Sequence, residues 1–348
     1  MTKTLVTGAS GHLGANLVRD LLDRGHEVVP FVRRSSSLQG LEGLDLEPAV
    51  GDLLDRDSLL AAADGCAWVM HAGAVYRNWA PDPDEIRRPA LDGTANVLRA
   101  AADAGCQRVV VTSSNAAVGY AEDPRRPLDE RRWNDGAANV YIRSKTEAER
   151  RAFQLGRELD LEVVSALPVG ILGPHDHKPT PTTRLIADIV NRTGSVFMAV
   201  SLTDVRDVAR AHTLLAERGR PGERYLVAGD NVQEEELAAL FRELAGVDAK
   251  RGLPPTPLLK LVAAISEKTA RFTGKEPIIT RDVIRDAGGR HLVYDSSKIR
   301  EELDFHPRSA REVLTDTLRW LLFRGWIDEP LASTLRDRYP PDDAWGKA

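Results

Sequence analysis

Tyr141 and Lys145 stand four residues apart in a helix-compatible segment, so both side chains can reach one cleft. A carbonyl carbon that accepts hydride leaves alkoxide character on its oxygen, and a tyrosine hydroxyl can protonate it. A free phenol titrates near ~10, too high for the reverse role as a base at neutral pH. A shift of ~3 pH units corresponds to roughly 4 kcal/mol and needs close, poorly solvated positive charge. Lys145 is the group expected to lower the Tyr141 pKa. Tyr-x-x-x-Lys alone also describes an ordinary helix face, but here it lies after a serine-ended strand and before another strand. The serines are Ser113 and Ser114, at the carboxyl edge where ligands of parallel sheets collect, and one hydroxyl should bond the substrate oxygen.

A second group of residues supplies a place for the hydride donor. Thr7-Gly8-Ala9-Ser10-Gly11-His12-Leu13-Gly14 joins a strand-like run to a helical one. Gly8 permits a tight turn, Gly11 lets the backbone approach a pyrophosphate, and Gly14 allows close helix-strand contact. The helix N-terminus at His12 and Leu13 offers backbone donors to phosphate. Three spaced glycines are weak evidence in a chain with 27, but their position between strand and helix points to a nicotinamide dinucleotide. Its oxidised ring would add positive charge near Tyr141, and Lys145 would also hold the adjoining ribose.

The second strand ends Val32-Arg33-Arg34-Ser35-Ser36, without a carboxylate for free ribose hydroxyls. Arg33, helped by Arg34, can grip a ribose phosphate, so NADP(H) is preferred and NAD(H) is the other cofactor the turn could hold. Asp52 is placed to accept from the adenine amino group, and Ala72, Gly73 and Ala74 are small enough for the cofactor to pass closely. His71 reads as a buried structural histidine and His175-Asp176-His177 as a solvated loop; no ligand set suits a metal.

The elements that must position these groups follow from a repeated pattern. Apolar β-branched runs at residues 4–7, 27–32, 46–50, 68–71, 108–112 and 161–166 alternate with helical stretches such as 16–22 and 93–104. That pattern predicts an α/β fold, a Rossmann-type parallel sheet flanked by helices. After Pro168 prolines interrupt the pattern; helices are expected at 183–193, 234–244 and 310–323, and a returning strand at 225–227. The division is a dinucleotide-binding domain over 1–168, a substrate-binding segment over 169–200, a return to the first domain over 201–230, a smaller, mostly helical substrate-binding and C-terminal region over 231–330, and a tail over 331–348.

Composition narrows the partners. Hydrophobic residues make up 42% and charged residues 28% of the 348, as in an ordinary globular chain. With 47 Lys plus Arg against 52 Asp plus Glu, the charge of -5 offers nothing to a nucleic-acid backbone. No apolar stretch reaches membrane-spanning length, the two cysteines have no zinc spacing, and with a strand-like run so near the first residue no signal peptide is expected. A cytoplasmic protein with a small-molecule carbonyl or alcohol substrate, and neither nucleic-acid nor membrane partner, is expected.

In family order, the segments Thr7 to Gly14, Gly51-Asp52-Leu53, Asp92-Gly93-Thr94-Ala95-Asn96-Val97-Leu98, Val111-Thr112-Ser113-Ser114, Tyr141-Ile142-Arg143-Ser144-Lys145 and Asp204-Val205-Arg206-Asp207-Val208-Ala209 resemble the extended short-chain dehydrogenase/reductases. Within that family the chain resembles the dihydroflavonol-reductase-like and 3β-hydroxysteroid-dehydrogenase-like branches. The resemblance implies Ser114 as the catalytic serine with Ser113 the runner-up, Leu53 sharing the adenine contact, Val32-Arg33 as an NADPH-associated pair, and Pro168-Val169 beside the nicotinamide carboxamide. It also implies a homodimer through helices at 89–104 and 139–159. Sugar-nucleotide epimerases and dehydratases of the family are the main rivals. Dehydratases typically add an acidic pair where Asn115 and Ala116 stand, and nucleotide-sugar relatives often place arginine near Leu167 and asparagine near Gly170. Reduction of a ketone or aldehyde is therefore the expected reaction, a nucleotide-sugar epimerase the alternative, and a non-catalytic dinucleotide-binding protein the remaining one. Selectivity is expected from 75–81, where Tyr76 and Trp79 could form an aromatic wall, and from 118–139 and 175–203.

Overall fold

The computed structural model describes residues 1–274, 276, 277, 279–340 and 345. Its first half alternates β1 (Lys3–Thr7), α1 (His12–Asp23), β2 (Glu27–Val32), β3 (Ala49–Val50), α2 (Arg56–Ala63), β4 (Trp68–His71), α3 (Asp84–Asp103), β5 (Arg108–Thr112), α4 (Val140–Glu158) and β6 (Glu162–Pro168). There follow β7 (Gly170–Leu172), α5 (Pro181–Val190), β8 (Ser195–Val196), β9 (Val200–Asp204), α6 (Val205–Arg218) and β10 (Arg224–Val227). The remainder is β11 (Asn231–Val232), α7 (Glu234–Ala245), β12 (Lys250–Arg251), α8 (Thr256–Thr273), α9 (Arg281–Ala287), α10 (Ser297–Leu303), α11 (Ala310–Phe323) and α12 (Leu331–Arg336).

Seven strands form one sheet in the order β10-β6-β5-β4-β1-β2-β3, every pairing parallel. Chain order reverses between β1 and β4, where a crevice for ligands opens at the carboxyl ends of the strands. Leu17, Val18 and Leu21 of α1 and Val208 and Leu215 of α6 cover one face; Leu59, Val97, Leu98 and Leu155 from α2 to α4 cover the other. Burial on both faces explains why these strands read as continuous apolar runs.

The structure departs from the sequence reading at particular elements. The expected strand at 46–50 is only β3, because it lies at the sheet edge and Pro48 lacks an N–H for the ladder. Helix α3 starts before Pro89 and runs through it. Helix α5 ends at Val190 rather than 193, with Arg192 in a left-handed conformation at φ 62°. The smaller region is mainly helical, but it also holds a three-stranded sheet, β11-β9-β7, and the pair β12-β8. Of the expected tail, residues 331–336 form α12, and Ala332, Leu335 and Tyr339 join the second core with Phe241, Leu314 and Leu318. Residues 341–344 and 346–348 of that tail lie outside the described residues. Among the described residues no helix is long and apolar enough to cross a membrane.

Candidate active site

The glycine turn is built as its spacing requires. Gly8 has φ +70°, and a Cβ there would lie 2.7 Å from Gly73 Cα. A Cβ on Gly14 would lie 2.0 Å from the Gly8 carbonyl oxygen. Gly11 begins α1 without a side-chain cap, so the first-turn amides, at His12 and Leu13 among others, face the crevice uncapped by a side chain. A backbone cradle with this donor set fits a pyrophosphate.

Small residues face it from β4: the Gly73 amide donates to Thr7 Oγ1 at 3.2 Å, and Ala72 and Ala74 flank it. His71 is buried, with its ring nitrogens 2.8 Å from Thr7 Oγ1 and 3.1 Å from Thr94 Oγ1. Burial, with Lys145 nearby, pushes its pKa down to about 3, so it remains a neutral structural group.

The end of the crevice by β2 and β3 is more open. Arg33 and Arg34 are exposed at the end of β2, with no side-chain partner among the described residues. Asp52 is exposed after β3, and its Oδ1 already accepts the Leu54 amide at 2.9 Å, leaving the second oxygen for a ligand. Leu53 is held from behind, Asn96 Nδ2 donating to its carbonyl at 3.0 Å.

Ser114, Tyr141 and Lys145 converge at the carboxyl ends of β5 and the start of α4. Asn139 caps α4, its Oδ1 accepting from the amides of Tyr141 at 2.9 Å and Ile142 at 3.3 Å. Its Nδ2 donates to the Asn78 carbonyl at 3.0 Å, pinning the loop that carries Tyr76. Ser114 neighbours the Tyr141 hydroxyl and acts to lower it, and the Tyr76 ring lies 5.3 Å from the Tyr141 ring at 43°. Trp79 is half-buried beside this loop.

Alternation along the chain separates the two serines. Ser113 Oγ points inward and donates to Glu149 Oε2 at 2.9 Å, whereas Ser114 faces Tyr141. Lys145 Nζ donates to the Thr112 carbonyl at 3.0 Å, beside a cavity of about 20 Å³ lined by His71, Gly73, Thr112 and Ser113. Burial lowers Lys145 to about 8, with Glu149 resisting the shift.

The expected lowering of Tyr141 by Lys145 is not what the chain alone displays. Burial raises the Tyr141 phenol well above its ordinary value, the neighbouring Tyr76 and Tyr120 add to it, and Ser114 opposes it. Lys145 spends its ammonium on Thr112 instead. Pro168 ends β6, and the Val169 amide is engaged by the Val227 carbonyl at 3.4 Å, so Val169 would meet a ligand through other atoms.

The 175–177 segment is another correction. His175 and Asp176 are buried, because Trp320 of α11 packs against both histidine rings and donates to the Asp176 carbonyl at 3.2 Å. The ring of His12 bonds the Pro174 carbonyl at 3.1 Å, tying this segment to the glycine turn. No cluster of three or more His, Cys, Asp or Glu side chains suited to a metal ion occurs among the described residues. Sequence reasoning missed Thr94, Asn96, Asn139 and Glu149; of these, Glu149 carried a signal, one helical turn beyond Lys145. The outward faces of α3 and α4, expected to dimerise, carry pairs such as Arg87–Glu147 and Arg88–Asp92 and none of the large exposed apolar side chains found among the described residues.

Comparison with known proteins places this geometry. Residues 4–228 match the model of the NAD dependent epimerase/dehydratase family. A putative dihydroflavonol 4-reductase of Synechocystis sp. is 33% identical over 92% of this chain and 95% of its own. Cinnamoyl-CoA reductase 1 of Arabidopsis thaliana is 35% identical over 69% of this chain and 74% of its own. Among solved structures, gox2253 superposes with a TM-score of 0.81 at 34% identity, covering 94% of this chain and all (100%) of that one. PA4631, a nucleoside-diphosphate-sugar epimerase from Pseudomonas aeruginosa, gives 0.75 at 27%, covering 94% and 99%. The chain thus belongs to the NAD dependent epimerase/dehydratase family, within the extended short-chain dehydrogenase/reductases and close to their dihydroflavonol-reductase-like members, as an enzyme type that binds a nicotinamide dinucleotide.

Proposed function

We propose that the protein reduces a ketone or aldehyde to an alcohol with NADPH. The observation that carries the reading is the meeting of Ser114 and Tyr141 beside Lys145, with the Tyr141 phenol held in its protonated form by burial. Gly8, Gly11, Gly14, His12 and Leu13 would hold the pyrophosphate, Asp52 and Leu53 the adenine, and Pro168 and Val169 the carboxamide side. Ala72, Gly73 and Ala74 would leave it room. Lys145 would hold the nicotinamide ribose. When bound, the dinucleotide supplies hydride. Tyr141 gives its proton to the oxygen of the reacting carbonyl, and Ser114 lies against that same oxygen. Tyr76 and Asn139 restrict water and fix the entry of α4.

Arg33 and Arg34, unpartnered at the end of β2, support NADP(H) over NAD(H) through a ribose phosphate. Arg33→Ala is expected to weaken NADPH binding about tenfold or more, the loss of roughly 1.5–3 kcal/mol in charge-assisted hydrogen bonds, with little change for NADH. Dissociation constants for both cofactors check this; an unchanged NADPH-to-NADH ratio removes Arg33 from the role.

The second reading is epimerisation of a nucleotide sugar by the same three side chains. The family's own description and the Pseudomonas aeruginosa epimerase favour it, and they speak for it more directly than they do for net reduction. Against it stand the apolar Leu167, fully buried, and Gly170 of β7 at the positions where polar sugar-nucleotide contacts would be expected. One experiment separates the two. NADPH absorbance is followed across dicarbonyls, aromatic aldehydes, flavonoid ketones and steroid ketones, and nucleotide sugars are followed for inversion. Stoichiometric alcohol formation supports reduction, and sugar inversion without net cofactor consumption overturns it.

A further inference from the structure

Tyr141 stands on the first turn of α4, where main-chain amides have no partner within the helix, and Asn139 caps that turn. The group that holds Asn139 in turn comes from the smaller region. Asp286 of α9 is 6% exposed, and its carboxylate takes both main-chain donors that lead into α4. The Ala138 amide lies 2.9 Å from Oδ1 and 3.0 Å from Oδ2, and the Asn139 amide lies 2.8 Å from Oδ2. Arg290 gives its guanidinium to the Asp286 main-chain carbonyl, at 2.9 Å, and so steadies the backbone behind the carboxylate. The buried charge is met by main-chain N–H groups and by the positive end of α4. From the other side Arg143 Nη1 donates to the Ala138 carbonyl at 2.9 Å, so the chain entering α4 is gripped at its N–H and C=O groups alike.

The same stretch of chain reaches the facing wall of the cleft. Glu276 Oε1 accepts the Asn78 amide at 3.2 Å, and Asn139 Nδ2 donates to the Asn78 carbonyl. Asn78 lies two residues beyond Tyr76, whose ring packs on Tyr141. Lys145, one helical turn further in, is tied to the end of β5 through Thr112. The placement of Tyr141 depends instead on where α4 begins.

We propose that Asp286 is a positioning residue for Tyr141: by holding the Ala138 and Asn139 amides it fixes the start of α4, and with it the reach of the phenol toward the reacting oxygen. The inference rests on the reading that Tyr141 carries the proton, which net reduction and epimerisation share. A displacement of about 1 Å in a reacting group can cost on the order of a hundredfold in rate, so a side chain that never touches the substrate can weigh on turnover. The pyrophosphate cradle belongs to β1 and α1, so cofactor affinity should not follow.

The test compares Asp286→Ala, Asp286→Leu and Asp286→Asn in the full chain. With the best substrate found, carbonyl or nucleotide sugar, kcat is expected to fall about ten- to a hundredfold in the Ala and Leu variants, with the Kd for NADPH within about twofold of wild type. In Asp286→Asn the side-chain oxygen can stand where Oδ2 stands and accept both amides, losing only the second contact to Ala138, so kcat is expected within about threefold of wild type. Hydrogen exchange over the first turn of α4, read by mass spectrometry, needs no substrate; it is expected to quicken about tenfold in the Ala and Leu variants and to stay near wild type in the Asn variant. An unchanged kcat in the Ala and Leu variants overturns the proposal. So does a loss of NADPH affinity in step with kcat, which would mark Asp286 as a general support of the fold, and so does an Asn variant as slow as the Ala variant. If Asp286→Ala does not fold, Asp286→Leu, close to Asn in shape but without an acceptor, carries the same expectations. Should no substrate turn over, or should Tyr141→Phe keep full turnover, it is the reading of Tyr141 that fails, and the exchange result decides on Asp286 by itself: a first turn that exchanges as in wild type overturns the positioning role.

Discussion

Tyr141→Phe is expected to bind the nicotinamide cofactor as wild type does and to lose about 10²–10⁴ of its turnover, the usual contribution of a positioned acid. The substitution removes one oxygen and leaves the ring that packs against Tyr76, so fold and cofactor cradle should persist. Burial holds the phenol above its ordinary range, which suits a group that gives a proton near neutrality. Turnover is measured with the best carbonyl of the panel and cofactor binding by fluorescence titration. Retained turnover would remove Tyr141 as the acid; turnover and cofactor binding lost together would mean that the residue mainly shapes the cradle.

The largest stability effect is expected at Glu149. Its carboxylate, 1% exposed on the side chain, takes Arg224 in a two-pronged pair, Nε to Oε1 and Nη2 to Oε2, each at 3.0 Å. Ser113 and Ser165 donate to the same carboxylate at 2.9 Å and 2.5 Å. The guanidinium also covers the Trp133 ring at 3.6 Å and donates to the Glu130 and Arg132 carbonyls. Glu149→Ala leaves that cation buried and unpaired, at a cost of about 3–5 kcal/mol. Chemical denaturation checks it, and a midpoint within error of wild type would show that water enters and relieves the charge. Replacing both partners, Glu149→Leu with Arg224→Met, should recover much of the loss, because the penalty lies in the orphaned charge. In Glu149→Ala, Lys145 also loses the group that resists its lowering and should fall further below about 8.

How much of this was legible in the sequence depended on the range of the forces involved. The glycine turn was readable because its demand is local: no Cβ fits at Gly8 or Gly14. The main strands were readable because burial on both faces imprints a continuous apolar run. Tyr141 and Lys145 could be placed on one helix face from their spacing, and their position after a serine-ended strand singled them out. By contrast β7 and β9 lie outside the main sheet, and their place is set by pairing with each other and with β11. The burial of 175–177 depends on Trp320, a ring 144 residues beyond the carbonyl that it bonds. The preference for Ser114 over Ser113 came from the resemblance; that the buried Glu149 draws the Ser113 hydroxyl inward could be seen only in the structure.

The sequence by itself carried the resemblance to the family in its motifs, and it determined the parallel α/β architecture and the residues that could cradle a dinucleotide and move a proton, because these rest on local sterics or short-range periodicity. Only the tertiary structure decided the protonation and direction of those groups. Tyr141 is raised by burial, Lys145 is turned toward Thr112, and Ser113 is drawn to Glu149, 36 residues further along the chain. Desolvation and hydrogen-bond direction are properties of the assembled surroundings, and residues distant in the chain meet only when the whole sheet and its second lobe have closed around them.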